Sequence, residues 1–437
     1  MQQAHLANIL HFLSEPSASE EERSYEYFEK GLLVVEEGKV LALGYAKDLI
    51  DTLPSSTTVY DHKERLLLPG FIDTHVHFPQ LEMIASPGAD LLNWLNEYAF
   101  VAEEKYANAN YASEQSDRFL DELLRVGTTT ALVFGTVHPE SVHSFFTSCK
   151  KKNLRMVCGK VMMDRNAPTA LLDTPQTSYD ESKQLIETWH HKDRLRYAVT
   201  PRFAPTSSEH QLELAGQLLK EYPDVYLHTH LSESVSEIAW VRELYPKRDN
   251  YVDVYDKAGL LRPKSIFAHC IHLADNEWKR LAETNCGVAF CPTSNLFLGS
   301  GLFSMKKAKL FSVKVGLGTD VGGGSSLSLL QTANEAYKVL KIRNEQHSPL
   351  LGLYLATLGG AKTLDLENII GNFMAGKEAD FVIIDTASTK LMEHRIIHCE
   401  SLVEQLFVLT MLGDDRVVTQ TWSGGVKVYD CANDIQI

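Results

Sequence analysis

The sequence predicts an α/β protein: a (β/α)8 barrel of the TIM type with a small β-sandwich domain built from both termini. Three observations carry this. Eight short apolar runs rich in β-branched residues recur through the middle of the chain, at 66–74, 128–135, 155–162, 196–203, 225–231, 265–273, 287–292 and 314–320. Near-continuous apolar strands suit a parallel sheet covered on both faces. Helix-period stretches lie between the runs, clearest at 116–126 and 209–221, and eight strand–helix units read as a closed barrel. The two ends instead read as strands joined by tight turns.

At the amino end, 31–45 forms two strands around a Glu-Glu-Gly-Lys turn, and the polar, acidic stretch 17–23 is expected as a surface loop. At the carboxyl end, 379–384 and 417–429 are strand-like, with Ser-Gly-Gly marking a turn. Both ends flank the barrel in sequence. They are therefore expected to pair into one β domain from residues 1–68 and 376–437, with the barrel at 69–375. A doubly wound sheet would usually carry a glycine-rich phosphate loop after its first strand. Here the first run leads into His75-Val76-His77. The later Gly-Leu-Gly-Thr-Asp-Val-Gly carries an internal Asp at the last strand and reads as a strand followed by a flexible turn.

The 437 residues are 44% hydrophobic and 23% charged, which is ordinary for a globular enzyme with a large core. Lys and Arg total 42 against 57 Asp and Glu, a net charge of −15. That argues against nucleic acid or an anionic membrane as partner, since phosphates reward clustered cations. No run of 18 apolar residues occurs, so no membrane span is expected. Seven cysteines, an odd number without a Cys-x-x-Cys, suit reduced thiols in a cytoplasmic protein.

Barrel active sites lie at the carboxyl ends of the strands, and unusual residues cluster there. His75 and His77 end the first run; strand side chains alternate, so the two share a face. Alone, that pair could equally be a half-exposed strand face. The fifth run ends with His228, His230 and Glu233, the sixth offers His269, and the eighth offers Asp320. Any one of these reads more easily as a structural residue. Candidate ligands on four strand ends together are hard to assign to chance.

Pro-Gly-Phe-Ile-Asp-Thr-His-Val-His, His-Thr-His-Leu-Ser-Glu, Ala-His-Cys, Cys-Pro-Thr-Ser-Asn and Gly-Leu-Gly-Thr-Asp together resemble the metal-dependent amidohydrolase superfamily. More narrowly, Phe78-Pro79-Gln80, Leu91-Leu92-Asn93-Trp94-Leu95, the 200–206 segment and Gly318-Thr319-Asp320-Val321-Gly322-Gly323-Gly324 are similar to the guanine deaminase branch. The resemblance implies His75, His77, His230 and Asp320 as metal ligands, with an open position for water. Three imidazoles and a carboxylate suit one Zn2+ per subunit, and Fe2+ would accept the same set. A two-metal member usually needs a bridging lysine after the fourth strand; Arg202 and Phe203 stand there, and Lys160 falls on the third, where it reads as structural or superficial.

By the same resemblance Glu233 is the proton shuttle, His269 orients the attacking water, and Asp320 can also take its proton. Glu233 could alternatively be a helix N-terminal glutamate stabilised by the dipole. The implied reaction is hydrolytic deamination of guanine to xanthine and ammonia by water activated at the metal, in purine catabolism. Arg202 would hold the purine carbonyl, Gln80 its mixed donor–acceptor edge and Phe203 its face. His230, Glu233 and Asp320 would also contact the substrate. Trp94 either stacks on the base or is core. His228 shares a face with His230 and has no assigned role, and 291–295 is expected to shape the pocket wall. A homodimer is implied as well. The alternative activity is deamination or chlorohydrolysis of another purine, pyrimidine or triazine ring; a barrel kept as a catalytically dead scaffold would have lost ligands that this chain keeps.

Overall fold

The computed structural model describes residues 2–17, 21–88 and 91–433. Within these, sixteen strands form two sheets. They are β1 (Gln2–Phe12), β2 (Tyr25–Glu36), β3 (Lys39–Tyr45), β4 (Thr58–Pro69), β5 (Phe71–His77), β6 (Thr128–Phe134), β7 (Arg155–Gly159) and β8 (Val161–Met162). There follow β9 (Arg196–Pro201), β10 (Tyr226–Leu231), β11 (Ser265–His269), β12 (Gly287–Phe290), β13 (Lys314–Leu317), β14 (Phe381–Ile384), β15 (Val418–Ser423) and β16 (Val426–Asp430).

The barrel runs β5–β6–β7–β9–β10–β11–β12–β13, all parallel, with β8 alongside β9. Every residue of β5, β6, β7, β11 and β12 is buried, as a sheet wrapped by helices demands. The helix Ala109–Arg125 illustrates the wrapping. Asn108 caps it by accepting from the backbone N–H groups of Asn110 and Tyr111. Ala112, Ser116, Phe119, Leu120, Leu123 and Leu124 form its buried stripe. The barrel closes where the segment after β13 meets β5: Asp320 N donates to His75 O and His77 N to Val321 O, both at 2.9 Å. Gly318 makes this approach possible, because a Cβ there would stand 2.9 Å from both His75 Cβ and Cys291 Sγ.

The expected sandwich is realised as one mixed seven-stranded path, β16–β15–β14–β4–β1–β2–β3, drawn from both termini. Ile9, Leu33, Val35, Leu67, Phe381, Ile383 and Trp422 form its own core. The apolar run 66–74 is not a single strand. Gly70 N donates to Asp380 O of the small domain, and Phe71 N to Gly127 O of the barrel, so the chain changes sheets there within one residue. A Cβ on Gly70 would meet Thr129 Oγ1 at 2.2 Å. The run 155–162 likewise breaks at Lys160, which is fully buried and pairs with Asp173 and, at 3.2 Å, with Glu181; it is structural. Of the expected surface loop, 18–20 lies outside the described residues, and Glu21–Arg23 forms a 3-10 turn without a buried residue. No helix among the described residues is long and apolar enough to cross a membrane, and no disulfide joins any of the cysteines.

The two parts are joined by a charge cluster at the amino-terminal end of the barrel. Glu378 accepts from Arg155 Nε at 2.7 Å and from Arg194 Nη2 at 2.7 Å and Nε at 3.0 Å, while Arg194 also pairs with Asp380. Arg155 and Arg194 have side chains only 4% and 11% exposed. Glu378→Ala therefore strands the nearly buried Arg155, leaves Arg194 with Asp380 alone as its counter-charge, and is expected to cost about 3 kcal/mol in urea unfolding. Burial raises the Glu378 pKa, but Arg155 and Arg194 outweigh it and hold the group below its ordinary value. A lowered folded pKa stabilises above the unfolded pKa and ceases to do so as pH falls through the folded one. The gap between wild type and Glu378→Ala should thus narrow below about pH 4, near the ordinary glutamate pKa.

Candidate active site

The carboxyl ends of β5, β10 and β11 and the segment after β13 converge on one cavity. His77, Gln80, Leu91, Trp94, Leu95, Arg202, Phe203, His230, Glu233, His269, Leu298, Asp320 and Gly323 line it. Every residue assigned a role from the sequence is thus in the lining except His75, which pairs with Asp320; His228 is not in the lining, and no residue of the 291–295 segment expected to shape the wall lines it.

His75 Nε2 stands 3.0 Å from Asp320 Oδ1, and His77 Nε2 stands 3.4 Å from the same oxygen and 3.2 Å from His230 Nε2. By mutual spacing, His75, His230, His269 and Asp320 also form a compact group, with ligand atoms all within 4.8 Å. His269 Nε2 lies 3.7 Å from Asp320 Oδ2 and 3.4 Å from Glu233 Oε2. Asp320 thus turns Oδ1 to His75 and His77, and Oδ2 to His269.

The surrounding hydrogen bonds decide which ring nitrogens are free. His230 Nδ1 donates to Arg202 O at 2.8 Å, since a carbonyl can only accept. His269 Nδ1 faces Asn295 Oδ1 at 2.8 Å, and His75 Nδ1 faces His228 Nε2 at 2.7 Å. The bonds to Arg202 O and Asn295 Oδ1 direct an unprotonated Nε2 of His230 and of His269 inward, the arrangement of metal-ligating histidines. The buried Nε2 atoms of His75 and His269 have no hydrogen-bond partner. Burial, then the charge of neighbouring imidazoles, lowers the pKa of His228 and His230 well below normal, and burial brings His77 to about 3. All three are neutral at neutral pH, the form that donates a lone pair. Burial also opposes ionisation of Asp320, but His75 and its fellow imidazoles outweigh it and keep the carboxylate charged.

Lone-pair atoms this close repel unless a cation lies among them. With metal–nitrogen bonds of about 2.0–2.1 Å, tetrahedral ligand atoms stand about 3.4 Å apart, close to the 3.0, 3.2 and 3.4 Å found here. The donor set therefore fits a divalent metal. A second group, His190, His191 and Asp224, does not. His190 Nδ1 accepts from Tyr197 N at 3.1 Å, which leaves the proton on Nε2, and Asp224 is paired with Lys264.

Glu233 is 3% exposed and accepts from Ser300 Oγ at 3.0 Å. Burial and the nearby Asp320 push its pKa up to about 8. It precedes the helix Val235–Leu244 by two residues, but Ser234 and Glu237 cap that helix, so Glu233 is left for the cavity. Glu237 Oε2 accepts from Glu233 N at 2.8 Å and fixes the loop. Arg202 stretches its guanidinium over the Phe100 ring at 5.2 Å, and Nη1 donates to Glu103. Trp94 is 2% exposed, donates Nε1 to Ser86 O at 3.0 Å, and packs with Leu91, Leu95 and Phe203. It is core and pocket wall at once.

Sequence reasoning missed Asp73, Glu103, Asn295 as the partner of His269, Ser300 and Leu298. Asp73 had a signal: it alternates with His75 and His77 and so shares their face. Its carboxylate accepts from His75 N and Thr319 N, each at 3.1 Å. Glu103 had one too, as an acid on the apolar stripe Leu91, Trp94, Leu95, Ala99, Ala102. Ser300 and Leu298 lie in an irregular segment whose path no periodicity reveals.

The amidohydrolase family model matches residues 66–428. The chain is 52% identical over 404 residues, 92% of either sequence, to the guanine deaminase of Escherichia coli (strain K12). Among solved structures, an E. coli guanine deaminase superposes with a TM-score of 0.96 at 50% identity, covering 98% of this chain and 99% of that one. A guanine deaminase from C. acetobutylicum, solved with guanine bound in its active site, gives 0.89 at 28% identity over 98% and 100%. With its barrel, its cluster of histidines and Asp320, and these likenesses, the chain belongs to the amidohydrolase family and stands among the guanine deaminases within it.

Proposed function

We propose that this chain is a guanine aminohydrolase: it adds water across C2 of guanine and releases ammonia, leaving xanthine, a step of purine catabolism. The observation that carries the reading is the cavity itself, which gathers a cluster of histidines with Asp320, the buried carboxyl group of Glu233 and the guanidinium of Arg202 on one lining. The extensive identity to guanine deaminases supports the same substrate.

His75, His77, His230 and Asp320 would hold one metal ion, Zn2+ by the chemistry of the donors and Fe2+ by the same ligand set. Bound there, it would supply Lewis acidity and lower the pKa of a water toward about 7.

The remaining work falls to side chains. Arg202 donates to the C6 carbonyl oxygen of guanine. Gln80 pairs with the mixed edge, and Phe203 and Trp94 pack on the ring faces. Glu233 gives its proton to a ring nitrogen as the water oxygen bonds to C2. It then takes a proton from that oxygen and delivers it to the amino group as the C–N bond breaks, and the second proton of the oxygen returns to Glu233, which leaves the C2 carbonyl of xanthine and restores the acid. A carboxyl that is protonated near neutral pH suits a group that must start as an acid and act next as a base. His269, held by Asn295, orients the attacking water. We include a cytoplasmic homodimer in the proposal, on the family resemblance.

Glu233→Gln should bind metal normally yet lose roughly 10^2–10^4-fold in kcat; brisk ammonia release by a folded, metal-loaded variant would rule out the shuttle role. Arg202→Ala should lower kcat/KM for guanine about 10–150-fold, the worth of a charge-assisted hydrogen bond. Its metal content should be unchanged, since the carbonyl that orients His230 is backbone. Chelation should abolish activity, and one equivalent of Zn2+ or Fe2+ per chain should restore it. Faster ammonia release from adenine or cytosine than from guanine would overturn the reading.

A further inference from the structure

Behind the cavity wall, a single buried carboxylate holds both polar side chains that face the base. Glu103 is fully buried and does not line the cavity. Its Oε1 accepts from Gln80 Nε2 at 2.9 Å and from Arg202 Nη1 at 2.9 Å, and its Oε2 accepts from Arg202 Nη1 at 2.7 Å. Gln80 Oε1 accepts in turn from Gly322 N at 3.2 Å.

These contacts remove two freedoms. A glutamine amide has nearly the same shape either way round but opposite polarity. Glu103 can only accept and Gly322 N–H can only donate, so a flipped Gln80 would face both with the wrong atom. Its orientation toward the base is therefore fixed. Arg202, 2% exposed, needs a counter-charge in a dry pocket, and Glu103 supplies it. Nη1 is spent on Glu103, and the described contacts leave Nε and Nη2 for the cavity.

We propose that Glu103 is a positioning residue that sets the base selectivity of the pocket, clamping Arg202 and Gln80 so that the wall accepts an oxopurine edge and rejects an aminopurine. This rests on the guanine reading above. An exocyclic amine in place of the carbonyl would set donor against donor at Arg202, and the clamp keeps either side chain from turning away to relieve it. The carboxylate acts through its two neighbours and touches no reacting atom.

The test is steady-state ammonia release from guanine and from 2,6-diaminopurine, which keeps the C2 amine and replaces the C6 carbonyl by an amine, by wild type, Glu103→Gln, Arg202→Ala and the double variant, with metal content and melting temperature measured for each. Glu103→Gln should raise KM for guanine tenfold or more while kcat stays within threefold, and should narrow the preference for guanine over 2,6-diaminopurine. Metal content should hold. In the Arg202→Ala background the same substitution should move KM less than threefold, because coupled residues are not additive. Glu103→Asp, which keeps the acceptor oxygens, should recover part of the KM and serves if the Gln variant folds poorly. Wild-type KM and selectivity in both variants, or an equal loss with and without Arg202, would overturn the proposal. Failure of the wild type itself to release ammonia from guanine would instead remove the substrate reading, and this proposal with it.

Discussion

The metal end of this barrel depends on how closely its last strand can approach its first. Asp320 and His75 share a backbone hydrogen bond, and His77 and Val321 share the next. Asp73, wholly buried, ties the two segments again by accepting from Thr319 N. Gly318 leaves the room this needs, and any side chain there would push Asp320 away from the imidazoles. The pairing also holds strained backbone in place. Asp320, His269 and Ser232 have φ values of 50°, 72° and 51°, in the left-handed region that residues with a Cβ avoid. Such positions cost of order 1 kcal/mol or more each and persist only where the surroundings over-determine them.

Dryness is the second organising condition. Each ionisable group of the site is buried, so each charge must be neutralised locally or given up. Burial lowers the pKa of His77, His228 and His230, which leaves lone pairs available to a cation. Glu233, with only Ser300 donating to it, keeps its proton into the neutral range. Asp320 is held below the usual carboxylate range by His75 and the other imidazoles around it, and Arg202 is paired with the buried Glu103. One environment therefore yields two carboxyl groups of different character within the same cavity.

The barrel was legible because its strands are short, apolar and separated by amphipathic helices, and the site was legible because strand alternation fixes which side chains share a face. Less was visible where pairing is long-range. The run 66–74 gave no sign that it divides between two sheets, since its residues are equally apolar on both sides of Gly70. The hydrogen bonds that set ring tautomers join residues far apart in sequence, such as His75 with His228 and His269 with Asn295, and cannot be read from spacing. Glu103 was hidden for another reason: on a helix an acid looks solvated by default, and only the packed structure places it against Arg202. The β domain was correctly traced to both termini, but the order of its strands was not inferable from either end alone.

Arg202 has two faces with separate duties. Its carbonyl accepts from His230 N at 3.2 Å and from His230 Nδ1 at 2.8 Å, while its side chain reaches into the cavity. The first duty belongs to the backbone and survives any side chain that keeps the local strand conformation. The second belongs to the side chain alone. A substitution at this one position can therefore change what the cavity wall presents without disturbing the hydrogen bonds that orient the His230 ring.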